Sequence, residues 1–255
     1  MLRAILFDFN GVLVDDEPIH LATFQRVLGE EGIGLTAEDY YRRYLGADDR
    51  TCFAAVLRAA GETPSVPRLM RLIARKAAYY QERIGERGYP LFAGAAELVG
   101  AAAEAGLMLG VVSGALRHEV DGALQEAGLA GRFKVLVTAE DVTAGKPDPE
   151  GYRRALEALN ALPPLPERLL HPHEVLAVED SPAGLTAAAE AGLVTLGIAH
   201  DYLPGLPGLP GFSRAAGPVA DPAQDGQRQA DVVIRCLEGL TLDRLDRLFA
   251  DASRR

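Results

Sequence analysis

Cysteine, positive charge and long apolar runs are all scarce in this sequence. Its two cysteines, Cys52 and Cys236, lie far apart, and no CxxC or Cys/His pair has metal-ligand spacing. That excludes a disulfide framework and the usual kind of zinc site, and both cysteines read as reduced, partly buried thiols. Lysine and arginine number 26 against 36 aspartates and glutamates, a formal net charge of -10. Nucleic acid or an anionic membrane would need a basic field, so neither is an expected partner. No apolar stretch reaches the ~18 residues of a membrane-spanning helix. The opening residues MLRAILFDF hold one basic residue and a short apolar run ending in Asp, unlike a secretory leader. A cytoplasmic protein acting as a monomer on a small molecule is expected, and an anionic substrate would have to meet a local positive site.

With 255 residues, 48% hydrophobic and 24% charged, the chain suits one core plus a modest insertion. Short β-branched runs bounded by turn residues recur at 4–9, 107–112, 135–137, 175–178, 194–198 and 232–234, and they read as buried strands. Helical spacing between them, as at 95–104 and 119–127, implies crossovers and a mainly parallel α/β sheet. From 17 to 87 the pattern is helical throughout, in FQRVLGEEG, AEDYYRRYLG, TCFAAVLRAAG and PRLMRLIARKAAYYQERI. The spacing therefore predicts an α/β core of residues 1–16 and 88–255, with an inserted helical cap at 17–87 that returns through GERGYPLFAG. Residues 203–227, rich in Pro and Gly, read as a long surface loop.

Open α/β sheets bind ligands at the carboxyl ends of their strands, so the residues just after the apolar runs matter most. They are Asp8 with Asn10 in FDFNGVLVDDE, Ser113 in VVSG, Lys146 in AGKPDPEGY, and Glu179 with Asp180 in AVEDSPAG. Asp8, Glu179 and Asp180 can form a carboxylate cluster for Mg²⁺, which prefers oxygen ligands. Lys146 nearby would neutralise charge on a nucleophile and on a bound phosphoryl group. Ser113, with the Gly114 and Ala115 amides at a helix start, offers donors to phosphate oxygens. Taken singly, Ser113 and Asp180 read as helix caps, Lys146 as a solvated loop residue and Glu179 as half of a surface ion pair. Their order after four successive strands is what favours a site.

These four motifs, FDFNGVLVDDEP, VVSG, GKPDPEGY and VEDSPAG, resemble those of the haloacid dehalogenase superfamily, in its β-phosphoglucomutase-like and CbbY-like phosphatase group. The resemblance runs over nearly the whole chain. It implies a Rossmann-like parallel α/β core with an inserted helical cap, and a phosphatase removing phosphate from a small phosphorylated metabolite such as a sugar phosphate. It implies that Asp8 is the nucleophile and forms an aspartyl-phosphate, that Ser113 and Lys146 bind the phosphoryl group, and that Asp180 holds Mg²⁺ with Glu179 beside it. The backbone carbonyl of Asn10 would be a further ligand.

One position departs from the pattern. The family's phosphatases and mutases usually carry Asp two residues after the nucleophile, as general acid and base, and here that residue is Asn10. An amide cannot transfer the proton, a function worth about 10²–10⁴-fold in rate. Another group such as Asp16 or His20 supplies the proton, or turnover is slow, or the chain only binds phosphoryl groups. Phosphonate hydrolysis would use a cap lysine, but the only lysine there, Lys76, reads as a solvated helix residue. Dehalogenation needs no acid but also no carboxylate cluster for magnesium. In the cap's substrate-loop region, YRRYLGADDRTCF, Arg50 could meet a second polar part of the substrate or pair with Asp48 and Asp49. The mutase subgroup places a lysine before the loop glycine, where this chain has Leu45 before Gly46, and this favours a phosphatase.

Overall fold

The structure, a computed structural model, describes residues 1–44, 49–163, 168–199 and 230–254. Leu45, Gly46, Asp48 and the Pro/Gly-rich segment at 203–227 lie outside the described residues. The chain divides into two compact units. One holds Met1–Asp15 and the described residues from Leu91 onward, and the other holds Asp16–Pro90.

The first unit is built on a six-stranded sheet: β1 (Ala4–Phe7), β2 (Met108–Val112), β3 (Val135–Val137), β4 (Val175–Glu179), β5 (Val194–Ile198) and β6 (Val232–Ile234). Every pairing is parallel, in the order β3-β2-β1-β4-β5-β6. Parallel strands need crossovers that cover both sheet faces, so the central strands β1, β4 and β5 are buried along their whole length. The edge strand β6 is the exception to the expected burial: with no strand beyond it among the described residues, Val233 is exposed. One core cluster joins Leu6, Val112, Val137 and Ala177 of the sheet to Tyr152, Ala155 and Leu159 of α7 (Glu150–Asn160) and Ala187 and Ala188 of α8 (Pro182–Glu190).

Chain reversal at β1 is what makes a site possible. Strand β2 lies on one side of β1 and β4 on the other, with Phe7 level with Val111 and Val178. Such a switch point opens a crevice at the carboxyl ends.

The second unit consists, among its described residues, of α1 (Glu17–Glu30), α2 (Ala37–Arg43), α3 (Asp49–Ala59) and α4 (Val66–Arg87). Its core contains Phe24, Val27, Leu28, Tyr40, Phe53, Leu57, Leu69 and Leu72. Helix α4 buries Leu69, Leu72, Lys76, Tyr80 and Ile84, the three- and four-residue spacing of one helix face. Lys76 is therefore not solvated as a helical run of charged residues suggests; it is 2% exposed. Both cysteines are free, but Cys236 is exposed rather than partly buried. Among the described residues no helix is long and apolar enough to cross a membrane.

Candidate active site

Asp8 follows β1 directly, and its backbone N–H donates to the Val178 carbonyl of β4 at 2.9 Å. The chain then turns sharply: the Leu13 and Val14 amides both donate to the Phe9 carbonyl, at 2.9 and 3.0 Å, with Asn10 inside the turn. Gly11 sits at φ 79°, and a Cβ there would fall 2.0 Å from Asp180 Oδ2. Only glycine fits that backbone and that approach, so the turn after β1 and the turn after β4 press against each other.

On the β4 side, Glu179 is fully inaccessible and Asp180 partly exposed. One oxygen of Asp8, Glu179 and Asp180 each lies within 4.8 Å of the others. Lys146 Nζ reaches into this group, 2.7 Å from Asp8 Oδ1 and 2.6 Å from Glu179 Oε1. The Tyr152 hydroxyl donates to the same Glu179 oxygen at 2.6 Å. The loop that carries Lys146 is held from below, since Glu150 accepts the Thr143 and Ala144 amides at 3.0 and 2.9 Å and Asp148 accepts the Glu150 amide at 2.9 Å. The acidic residues of GKPDPEGY thus fix the loop that aims the lysine.

Burial pushes the Asp8 carboxyl up to about 7, against the pull of Lys146 and with the help of Glu179. Burial alone would favour a neutral Lys146 amine, but the Asp8 and Glu179 carboxylates outweigh it and hold the amine charged. Three carboxyl groups gathered beside one ammonium make a donor set of hard oxygens, which fits Mg²⁺.

Ser113 directly follows β2 and is buried; its N–H donates to the Val137 carbonyl at 2.9 Å. Its Oγ accepts the Ala115 amide at 3.0 Å. The following helix, α6 (Arg117–Glu126), begins only four residues after Ser113. The Ala115 amide is therefore engaged by Ser113 rather than presented at a helix start, whereas Gly114 is exposed. Neither Ser113 nor Asp180 caps a helix: Leu116 precedes α6, and Ser181 caps α8 by accepting the Gly184 amide at 3.0 Å.

The remaining candidates belong to the helical unit. Asp16, 1% exposed, accepts the Tyr80 hydroxyl at 2.7 Å and lies 3.1 Å from His20 Nε2. The other ring nitrogen, His20 Nδ1, lies 2.8 Å from Lys76 Nζ, which pairs in turn with Asp49 Oδ1 at 2.5 Å. Arg50 is exposed on α3. Tyr152 lies in GKPDPEGY and Lys76 in a helical run, and neither reads from the sequence as part of a polar cluster. Their helical spacing could have marked both as inward-facing, since Tyr152, Ala155 and Leu159 share the buried face of α7.

With this geometry in view, the family is plain. Residues 2–192 match the haloacid dehalogenase-like hydrolase family, and the chain belongs to it. Among its relatives are a validoxylamine A 7'-phosphate phosphatase of Streptomyces hygroscopicus subsp. limoneus, 31% identical over 79% of this chain and 88% of the relative, and an N-acetylmuramic acid 6-phosphate phosphatase of Pseudomonas aeruginosa, 28% identical over 98% of this chain and 97% of the relative. The crystal structure of CbbY from Rhodobacter sphaeroides in complex with phosphate superimposes with a TM-score of 0.71 at 25% identity, covering 96% of this chain and all of that one.

Proposed function

We propose that the chain is a Mg²⁺-dependent phosphatase that hydrolyses a small phosphorylated carbohydrate through an aspartyl-phosphate on Asp8. The observation that carries this reading is the placement of Lys146 between Asp8 and Glu179, with Asp180 in the same carboxylate group. The names of the relatives support the carbohydrate class, since two of them act on phosphorylated sugars or sugar-like compounds.

In this reading Asp8, Asp180 and the backbone carbonyl of Asn10 would hold Mg²⁺, with Glu179 beside them. Bound there, Mg²⁺ offsets the carboxylate charge and the charge on the phosphoryl oxygens. The Asp8 carboxylate attacks phosphorus and the bond to the sugar oxygen breaks. Lys146 stabilises the charge on the transferring group, and Ser113 and Gly114 bind its oxygens. Water then attacks the acyl phosphate and releases phosphate, so one difficult displacement becomes two easier ones. The helical unit serves as the cap that selects the substrate, with Arg50 its candidate contact.

Asn10 can orient the leaving oxygen but not protonate it. Both ring nitrogens of His20 and one oxygen of Asp16 are already engaged inside the helical unit, so we assign proton delivery to neither. The leaving group takes its proton from water, and turnover on sugar phosphates is slow. Lys76 is likewise held by a carboxylate and an imidazole, unlike the free amine that a Schiff base requires. Asn10 also favours a second reading, a phosphoryl-binding protein on the same fold.

Phosphate release from a panel of sugar phosphates and one aryl phosphate, with Mg²⁺, separates the two readings. The expected result is release that vanishes in Asp8→Ala and rises about 10²–10⁴-fold on sugar phosphates in Asn10→Asp. A native chain inert on every phosphate, beside an active Asn10→Asp variant, would move the assignment to the binding role.

A further inference from the structure

We propose that Tyr152 is a positioning residue: its hydroxyl pins Glu179 and thereby holds the Lys146 ammonium against Asp8. The catalytic consequence rests on the reading of Asp8 as nucleophile; the positioning is a property of the side chains themselves.

Tyr152 is wholly inaccessible, and its ring packs in the apolar cluster with Val112, Val137 and Ala177. A phenylalanine would fill that place equally well. A phenol buried this deeply loses its hydration and needs a bonded partner, and Glu179 Oε1 is that partner at 2.6 Å. The same oxygen receives Lys146 Nζ, also at 2.6 Å. The other oxygen, Oε2, faces the Ser181 hydroxyl at 3.2 Å and the Ser181 amide at 3.4 Å. Gly184 closes the remaining side, for a Cβ there would lie 2.0 Å from Glu179 Oε1. Glu179 is thus held by donors on both oxygens and by backbone behind it.

The consequence falls on the lysine. Lys146 Nζ lies 5.6 Å from the centre of the Tyr152 ring and is shared between two carboxylates. An ammonium shared by two anions takes its place from the positions of both, through short charge-assisted hydrogen bonds. The phenol satisfies part of Glu179 Oε1, so the lysine stays in reach of Asp8. Without the hydroxyl, Glu179 has one donor fewer and can shift, and the amine loses its fixed geometry toward Asp8.

Positioning can be read without any ligand, from the solvent-exchange rate of the Lys146 ammonium protons in ¹⁵N NMR of the full chain. Tyr152→Phe keeps the ring volume, so it should fold and melt close to the native chain. We expect exchange at Lys146 to speed up about tenfold, the scale of a lost hydrogen bond to a charged group. In a Glu179→Gln background the same change should add nothing further, because the two act in series. Affinity for fluoroberyllate with Mg²⁺, a mimic of the phosphorylated aspartate followed by ¹⁹F NMR, should also fall about tenfold in Tyr152→Phe. Unchanged Lys146 exchange in Tyr152→Phe, with only a lower melting temperature, would overturn the proposal. A native chain that takes no fluoroberyllate while Lys146 exchange still responds to Tyr152→Phe would overturn the phosphatase reading and leave the positioning standing.

Discussion

Each unit of this molecule contains one lysine held between two polar partners, and the two lysines differ in what surrounds them. Lys146, in a loop beyond the sheet, pairs with two carboxylates that belong to a group of three. Lys76, inside α4, faces one carboxylate and one imidazole, and its ammonium lies 4.4 Å from the centre of the Phe24 ring. From there the chain of contacts closes through His20 to Asp16 and Tyr80. The first cluster gathers three carboxylates around one ammonium at strand ends, whereas the second alternates donors and acceptors among its own side chains. A buried lysine therefore does not by itself mark chemistry; carboxylates gathered around it at the carboxyl ends of strands do.

Removing each lysine in turn sharpens that difference. Lys76→Met deletes one partner of a largely buried pair and leaves Asp49 and His20 facing an apolar side chain. A loss of about 3 kcal/mol in unfolding free energy is expected, at the low end for such pairs because Asp49 is about a third exposed. Lys146→Met should also destabilise the chain, because three carboxylates then repel one another. The two variants part company in millimolar Mg²⁺. Magnesium should recover much of the stability of Lys146→Met, whose site has lost its ammonium, and none of that of Lys76→Met. Denaturant titrations with and without Mg²⁺ read both, and equal responses to magnesium would break the comparison.

How visible each cluster is in the sequence follows from how far apart its parts lie. The strands are legible because each is a short β-branched run between turn residues, and in a parallel sheet such runs are buried on both faces. Asp8, Ser113, Lys146 and Glu179 are legible because topology gathers strand ends, so residues more than a hundred positions apart share an edge by rule rather than by detail. Nothing comparable announces the second cluster. The partners of Lys76 come from α1 and from the first residue of α3, and helices pack by side-chain shape with no fixed register. The inward spacing of Leu69, Leu72, Lys76, Tyr80 and Ile84 was the available sign, masked by the charged residues around it. The link from Tyr152 to Glu179 is invisible for the same reason, since a phenol and a phenylalanine obey one pattern. The exposed edge at Val233 shows the converse limit: strand composition alone does not tell an edge from a centre.

The finest test of a closed cluster lies in the α/β unit itself, at Glu174, just before β4. Its carboxylate pairs with Arg3 at 3.2 Å and with Arg168, and it accepts the His171 amide at 3.1 Å. The His171 amide above all, with Arg3 and Arg168 adding to it, holds the carboxyl down at about 2, below its ordinary 4.5, whereas burial, with Glu179 adding to it, pushes Asp8 up. A depressed carboxyl stabilises the fold where it is charged in both states. That contribution is complete above about 4.5 and disappears as pH falls toward 2. Glu174→Gln should therefore melt below the native chain at neutral pH, by a margin smaller than that of Lys76→Met, and the margin should close between those two pH values. Melting temperatures over that acid range decide it. A gap that stays constant to the lowest pH would mean that Glu174 works through shape and neutral hydrogen bonds, and that its arginines contribute no charge-dependent stability.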